Sequence, residues 1–268
     1  MREPAARPVL ALLTDFGTRD PYVGAMKGAA LSVCPDATLV DLTHDVAAHD
    51  VAEAARHLAA AAPYFPAGTA FVVVVDPGVG SARRALAAWA GGHWFVGPDN
   101  GVLTAVLTPN ASIVEITSPR YMRAAVSRTF EGRDRFAPAA AWLLRGVTLD
   151  ALGPSVTDPV RLDLPRPRVV DGFLRGILVA GDRFGNVVTS IDRAAFEAFA
   201  CGGATRLTLA GRPLRLVDTY AEIGDGEVAA LFGSAGFLEV AARSAPALGR
   251  AGVQPGAPIE VARQTDSL

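Results

Sequence analysis

The chain has 268 residues, half of them apolar and 19% charged, enough core material for one large domain or two ordinary ones and no signature of disorder. Lys and Arg number 25 against 27 Asp and Glu, so no basic surplus exists to neutralise a phosphate backbone, which argues against nucleic acid as a partner. The two cysteines, Cys34 and Cys201, lie far apart without CxxC spacing, which argues against a zinc knuckle or a disulfide framework and makes a reduced, cytoplasmic setting the expectation.

In chain order, "PVLALLTDFG" reads as a buried parallel strand ending in a carboxylate, and "PYVGAMKGAALSVCP" has helical spacing up to Pro35. The opening apolar run is too short for a signal peptide, and no run approaches membrane-spanning length, so no membrane association is expected. "TLVDLTHDV" reads as a second strand, "DVAEAARHLAAAAPYF" as an Ala-rich helix, and "GTAFVVVVDPGVG" as a third strand entering a glycine-rich loop. "HWFVGPDNGVL" repeats the pattern of apolar strand and polar loop. Strands alternating with helices predict an α/β/α domain with a mainly parallel sheet. Asp15, His44, Asp76 and Asp99 follow the strands, at the carboxyl edge where open α/β sheets bind ligands. "LDLPRPRVVDG" is a candidate linker, with the division placed near residue 165, giving domains 1–165 and 166–268. Short β-type runs then follow between glycine turns, "FLRGILVAGD", "NVVTSI", "TRLTLAGRPLRLV", "EVAALFGS", "FLEVA" and "APIEVAR", predicting an antiparallel barrel or sandwich.

Several polar constellations have two readings each. Asp15 at a strand end can accept both hydroxyls of a ribose, or can cap the following helix. "VVVVDPGVGSARR" is neither a dinucleotide loop, since Arg83 stands where the third glycine belongs, nor a Walker loop. Asp76 and Arg83 can instead form an ion pair that fixes a carboxylate's orientation, or a purely structural salt bridge. "GDRFGNVVTSI" sets Asp182, Phe184 and Asn186 on one turn, an aromatic face and an amide suited to a purine, or simply a hairpin. Ser234 and Glu239 flank a further glycine turn. His44 and His49 lack a helical metal-binding spacing, so capping or packing is expected of them and no metal.

Taken together, "TDFGTRDPYVGAMKG", "CPDATLVDLTHDV", "FVVVVDPGVGSARR", "GPDNGVLT", "TFEGRDRFAPAAA", "DRFGNVVTSI" and "GSAGFLEVA" resemble, in order, the S-adenosylmethionine hydroxide adenosyltransferase family, relatives of the fluorinase and chlorinase enzymes. The resemblance implies an N-terminal α/β/α domain and a C-terminal β-barrel. It also implies homotrimers with active sites between subunits, and attack of water on C5′ of S-adenosylmethionine (SAM) to give adenosine and methionine, with no cofactor. Carried over by motif, Asp15 holds the ribose, Phe184 and Asn186 hold adenine with Tyr220 as a second aromatic wall, and Asp182, Ser234 and Glu239 hold the methionine end. Asp76 and Arg83 match two members of the family's Asp-Arg-His set that handles the water.

The third member departs. The family motif reads Thr-Phe-His-Gly-Arg-Asp, whereas this chain has "TFEGRD", with Glu131 in the place of histidine. A neutral thioether leaves from a sulfonium, so the barrier lies mainly in presenting an aligned, desolvated nucleophile, and positioned acceptors suffice to orient water. Asp76 and Glu131 are therefore expected to orient the water jointly, with Arg83 limiting their repulsion. Alternatively, Glu131 turns aside to Arg133 or solvent. A separate alternative is a SAM- or adenosine-binding protein without turnover, with Glu131 in the histidine's place as the sign of that loss. Fluorinase-like members carry tyrosine at the place of Asp76 and a hydroxyl at that of Val79, so the anionic pair here argues against halide as nucleophile.

Overall fold

Val9–Thr14 (β1) and Ala70–Val74 (β3) are apolar at almost every position because their sheet is covered on both faces. Leu10, Leu12, Val72 and Val74 pack on one face with Met26, Phe136 and Ala140. Ala11, Leu13, Phe71 and Val73 pack on the other with Ala54 and Leu58. A computed structural model describes residues 7–264, so the expectation about a leader falls partly on positions outside that range. The chain divides into two compact units, Met1–Leu162 and Asp163–Leu268.

In the first unit β1 is followed by Tyr22–Val33 (α1), Thr38–Thr43 (β2) and Val51–Ala61 (α2). After β3 come Ala85–Ala90 (β4), His93–Pro98 (β5), Ser112–Glu115 (β6) and Ala137–Leu144 (α3). The strand order is β2-β1-β3-β5-β4-β6. β2, β1, β3 and β5 run parallel. Sequence alternation did not resolve β4, β6 or α3, and β4 runs antiparallel to both β5 and β6. Gly91 and Gly92 form its two-residue turn, both at positive φ, which matches the right-handed twist of a hairpin. The reversal starts β4 at the same sheet edge where β3 and β5 end. There Arg84 donates to the buried Asp99 at 2.7 Å and also pairs with Asp158.

The second unit is built from Arg168–Val170 (β7), Phe173–Gly181 (β8), Val187–Asp192 (β9), Arg193–Ala200 (α4), Thr205–Leu209 (β10) and Arg212–Leu216 (β11). Val228–Phe232 (β12), Phe237–Ala242 (β13), Ala247–Ala251 (α5) and Pro258–Arg263 (β14) complete it. β14 pairs with both β10 and β8, closing a barrel whose other strands follow in the order β11, β12, β13 and β9. The pairings are antiparallel except β11 with β12. Leu174, Leu178, Ile191, Leu238 and Val261 fill the interior. Within the stretch read as a linker, residues 168–170 form β7, joined to β8 by an Asp171-Gly172 turn with both residues at positive φ.

Local capping accounts for the start of α2: Asp50 accepts from the Glu53 backbone N–H at 2.8 Å. Asp50→Ala should lower stability by about 1 kcal/mol in urea titrations, the ordinary value of such a cap. An unchanged midpoint would mean that α2 is held by its apolar face alone.

Candidate active site

Three of the sequence-selected residues meet at the carboxyl edge of the first sheet. Asp76 follows β3, and Arg83 stands just before β4. Arg83 Nε donates to Asp76 Oδ1 at 3.0 Å, and its Nη2 donates to Asp76 Oδ2, a two-pronged contact. The same Nη2 lies 2.5 Å from Glu131 Oε2. That second contact lacks hydrogen-bonding angles and leaves Oε2 without a hydrogen-bond partner, so it acts through charge. All three side chains are buried, none more than 11% exposed. Burial alone would pull the Arg83 pKa down, but the two carboxylates outweigh it and hold the guanidinium above its ordinary value.

Two backbone devices bring these groups together. The loop from Asp76 to Arg83 turns at Gly80, at φ +80°, where a Cβ would stand 2.8 Å from the carbonyl oxygen of Arg128. Glu131 opens a π-helical turn, Gly132–Phe136, that runs into α3. Such turns are rare and concentrate at functional sites. The turn is tied down by Asp134, which is wholly buried. It accepts from Arg133 Nε and Nη2 at 2.7 and 2.8 Å and from the Ser127 backbone N–H at 2.8 Å. Arg123 also approaches at 3.3 Å. Arg133 is thus committed to Asp134, and the alternative in which Glu131 turns aside to Arg133 is overturned. Glu131 faces inward.

Asp15 is not a helix cap. The residue preceding α1 is Pro21, which makes no side-chain capping bond, and Asp15 Oδ2 instead accepts from the His49 backbone N–H at 2.9 Å. Beside it, Phe16, Tyr22 and Phe130 form an aromatic cluster with ring centroids 5.3 to 6.0 Å apart. The cluster links the neighbour of Asp15 to the neighbour of Glu131. His44 has the packing role expected of it, with Nδ1 2.9 Å from Thr14 Oγ1 and Nε2 2.9 Å from Asp41 Oδ1. Among the described residues no group of three His, Cys, Asp or Glu side chains could hold a metal ion.

In the second unit Asp182 organises its own turn. Oδ1 accepts from the backbone N–H of Phe184 and of Asn186, at 2.9 and 2.8 Å, and Oδ2 accepts from the Asn186 side-chain amide at 3.0 Å. Phe184 is left 83% exposed. A concavity of about 340 Å³ lies against Asp182, Phe184, Pro246 and Leu248. Tyr220 donates to the buried Glu239 at 2.8 Å. Burial raises the Glu239 carboxyl pKa; the Tyr220 hydrogen bond works against this, and the Asp182 charge adds to it. Burial, then the bond to Glu239, pushes the Tyr220 phenol up to about 12. Ser234 lies in the hairpin turn between β12 and β13, after Gly233.

Sequence reasoning missed Arg135, whose Nη2 lies 3.4 Å from Glu131 Oε1. The available signal was the four-residue spacing of Glu and Arg, the reach of one helical turn. It missed the aromatic cluster as well, because Phe130 joins Phe16 and Tyr22 from a segment distant in the chain.

Known proteins resemble the chain over both units. The family models for the SAM hydroxide adenosyltransferase N-terminal and C-terminal domains match residues 10–153 and 176–260. The chain is 40% identical over 265 residues to an (R)-S-adenosyl-L-methionine hydrolase of Thermus thermophilus, covering 95% of this chain and 99% of the relative. It is 32% identical over 274 residues to a fluorinase of an Actinoplanes species, covering 89% and 92% respectively. A crystal structure of a conserved protein from Thermotoga maritima superposes with a TM-score of 0.84 at 33% identity, covering 95% of this chain and all of that one.

Two titrations test the site's electrostatics. Burial alone would raise the Asp134 pKa, but the Arg133 ion pair outweighs it and holds the carboxyl below its ordinary value of 3.8. Its stabilising contribution is therefore complete above that value and is lost as pH falls through the folded pKa. Asp134→Asn should be less stable at neutral pH and lose less stability on acidification, measured by thermal melts from pH 7 to 3; parallel curves would remove the ion pair from the acid response. Ultraviolet titration should find one tyrosine ionising near pH 12, absent in Tyr220→Phe.

Proposed function

The chain belongs to the S-adenosylmethionine hydroxide adenosyltransferase family, and from that premise we propose that it hydrolyses SAM to adenosine and L-methionine. The observation that carries the reading is the inward-facing Glu131, buried with Asp76 against the same Arg83 nitrogen, Nη2, at the carboxyl edge of the sheet where such folds bind ligands. Carboxylate oxygens accept the hydrogens of a water and so aim its lone pair. The water oxygen bonds to C5′ as the C5′–sulfur bond breaks, methionine leaves as a neutral thioether, and the proton passes to a carboxylate or to solvent. A water held in line needs little further activation, because a neutral thioether departing from a sulfonium is already a good leaving group. The carboxylate oxygens that would hold the water repel a halide in the same place. Hydrolysis rather than halogenation is the consequence.

The remaining groups take roles consistent with their surroundings. Asp15, nearly buried and steadied by the His49 N–H, accepts from the ribose hydroxyls. Phe184 and Asn186, presented on a turn that Asp182 has already organised, take adenine with Tyr220. Asp182, Ser234 and Glu239 take the methionine end, with Glu239 held in place by the Tyr220 hydroxyl. The assembly in this reading is a homotrimer in which each site draws on two copies. No cofactor is required, and the cytoplasm is the compartment, in keeping with two free cysteines, Cys34 and Cys201. No helix among the described residues is long and apolar enough to cross a membrane.

Incubation with SAM should yield adenosine and methionine in equal amounts by chromatography. Glu131→Gln should lower kcat by about 100-fold, the usual weight of a positioned acid–base group. Full activity in Glu131→Gln would remove any role for the charge. Calorimetric binding of SAM without product would identify a ligand-binding relative instead, the outcome favoured if two guanidiniums saturate Glu131.

A further inference from the structure

Resting on the hydrolase reading, we propose that Arg135 is a positioning residue whose charge makes Glu131 usable in the water-orienting cluster, so that the two residues act as one unit. The first argument is charge. Asp76 and Glu131 bring two negative charges to a buried place, and Arg83 brings one positive charge. Arg83 spends its two-pronged contact on Asp76 and reaches Glu131 only off-angle. Without Arg135 the cluster would hold an uncompensated buried anion, which proteins avoid. Arg135 Nη2 beside Glu131 Oε1 restores neutrality, the net charge that an Asp-Arg pair with a neutral imidazole would carry.

The second argument is geometry. Four residues apart on the π-helical turn, the two side chains share a face, so the contact is built into the local backbone. At 3.4 Å it holds the carboxylate by charge without engaging Oε1 in a close hydrogen bond, leaving lone pairs for a water. The third is an orphan: Arg135 Nε is buried and has no hydrogen-bond partner. A buried donor left unsatisfied is costly and calls for a reason. Holding the guanidinium toward Glu131 provides one.

A double-mutant cycle on adenosine formation separates this role from a structural one. Arg135→Met should lower kcat about tenfold in the wild-type background with KM nearly unchanged, a coupling ordinary for contacting charged residues. In the neutral Glu131→His and Glu131→Gln backgrounds the loss should shrink to under about twofold, and Arg135→Lys should recover most of the wild-type rate. Should Arg135→Met fail to fold, Arg135→Gln, which keeps length and a donor, is compared across the same backgrounds. Equal fractional losses in all backgrounds, or none in the wild-type background, would overturn the proposal while leaving the hydrolase reading intact. A wild-type protein that makes no adenosine would overturn the hydrolase reading itself, and the Arg135 role with it.

Discussion

A guanidinium buried against two carboxylates is the contact on which the charged edge of the first unit's sheet depends. Removing a charge from water costs several kcal/mol, and only close, well-directed counter-charges offset it. Arg83 meets that condition with Asp76 through paired hydrogen bonds, while its off-angle contact with Glu131 supplies charge without direction. The surroundings follow from this demand. Gly80 lets the Asp76 loop pass against Arg128, and the π-helical turn aims Glu131 inward. Asp134, with Arg133 as its close partner, fastens that turn from below. A fault in any one of these would leave a charge buried without its partner, a far larger cost than the loss of a surface ion pair.

The sheet supplies the rest. A strictly parallel arrangement would have carried Arg83 away from the end of β3. The antiparallel β4, turned by two glycines, returns it to the same edge. The edge then gathers Asp15 after β1, Asp76 after β3 and the Arg83 and Arg84 pair before β4, with backbone held rigid by a sheet covered on both sides. In the second unit rigidity has another source, a closed ring of strands, and the polar turns stand outside it. Asp182 uses three hydrogen bonds to shape one such turn and leaves Phe184 open to a flat partner.

Much of this was legible in residue order. The all-apolar runs of β1 and β3, the capped helix α2 and the short strands of the barrel each announce themselves by local pattern, because burial on one or both faces leaves a periodic mark. The motif around Asp76 and Arg83 was readable for the same reason, since a short loop keeps both residues near each other. β4 was not read as a strand because alanine is neutral in its preferences and its turn resembles an ordinary glycine break. β7 was hidden beside prolines, although Asp171-Gly172 was a hairpin signal.

From the sequence alone follow the fold class, the family and the presence of a glutamate where the motif has histidine. What only the tertiary structure decided is where that glutamate points and what it meets. Arg133, its near neighbour in the chain, belongs to Asp134, while Arg83 and Arg135 share Glu131. The physical reason is that periodicity records burial and turns, which are local, whereas the partner of a buried charge is chosen by distance and angle across segments that only folding brings together.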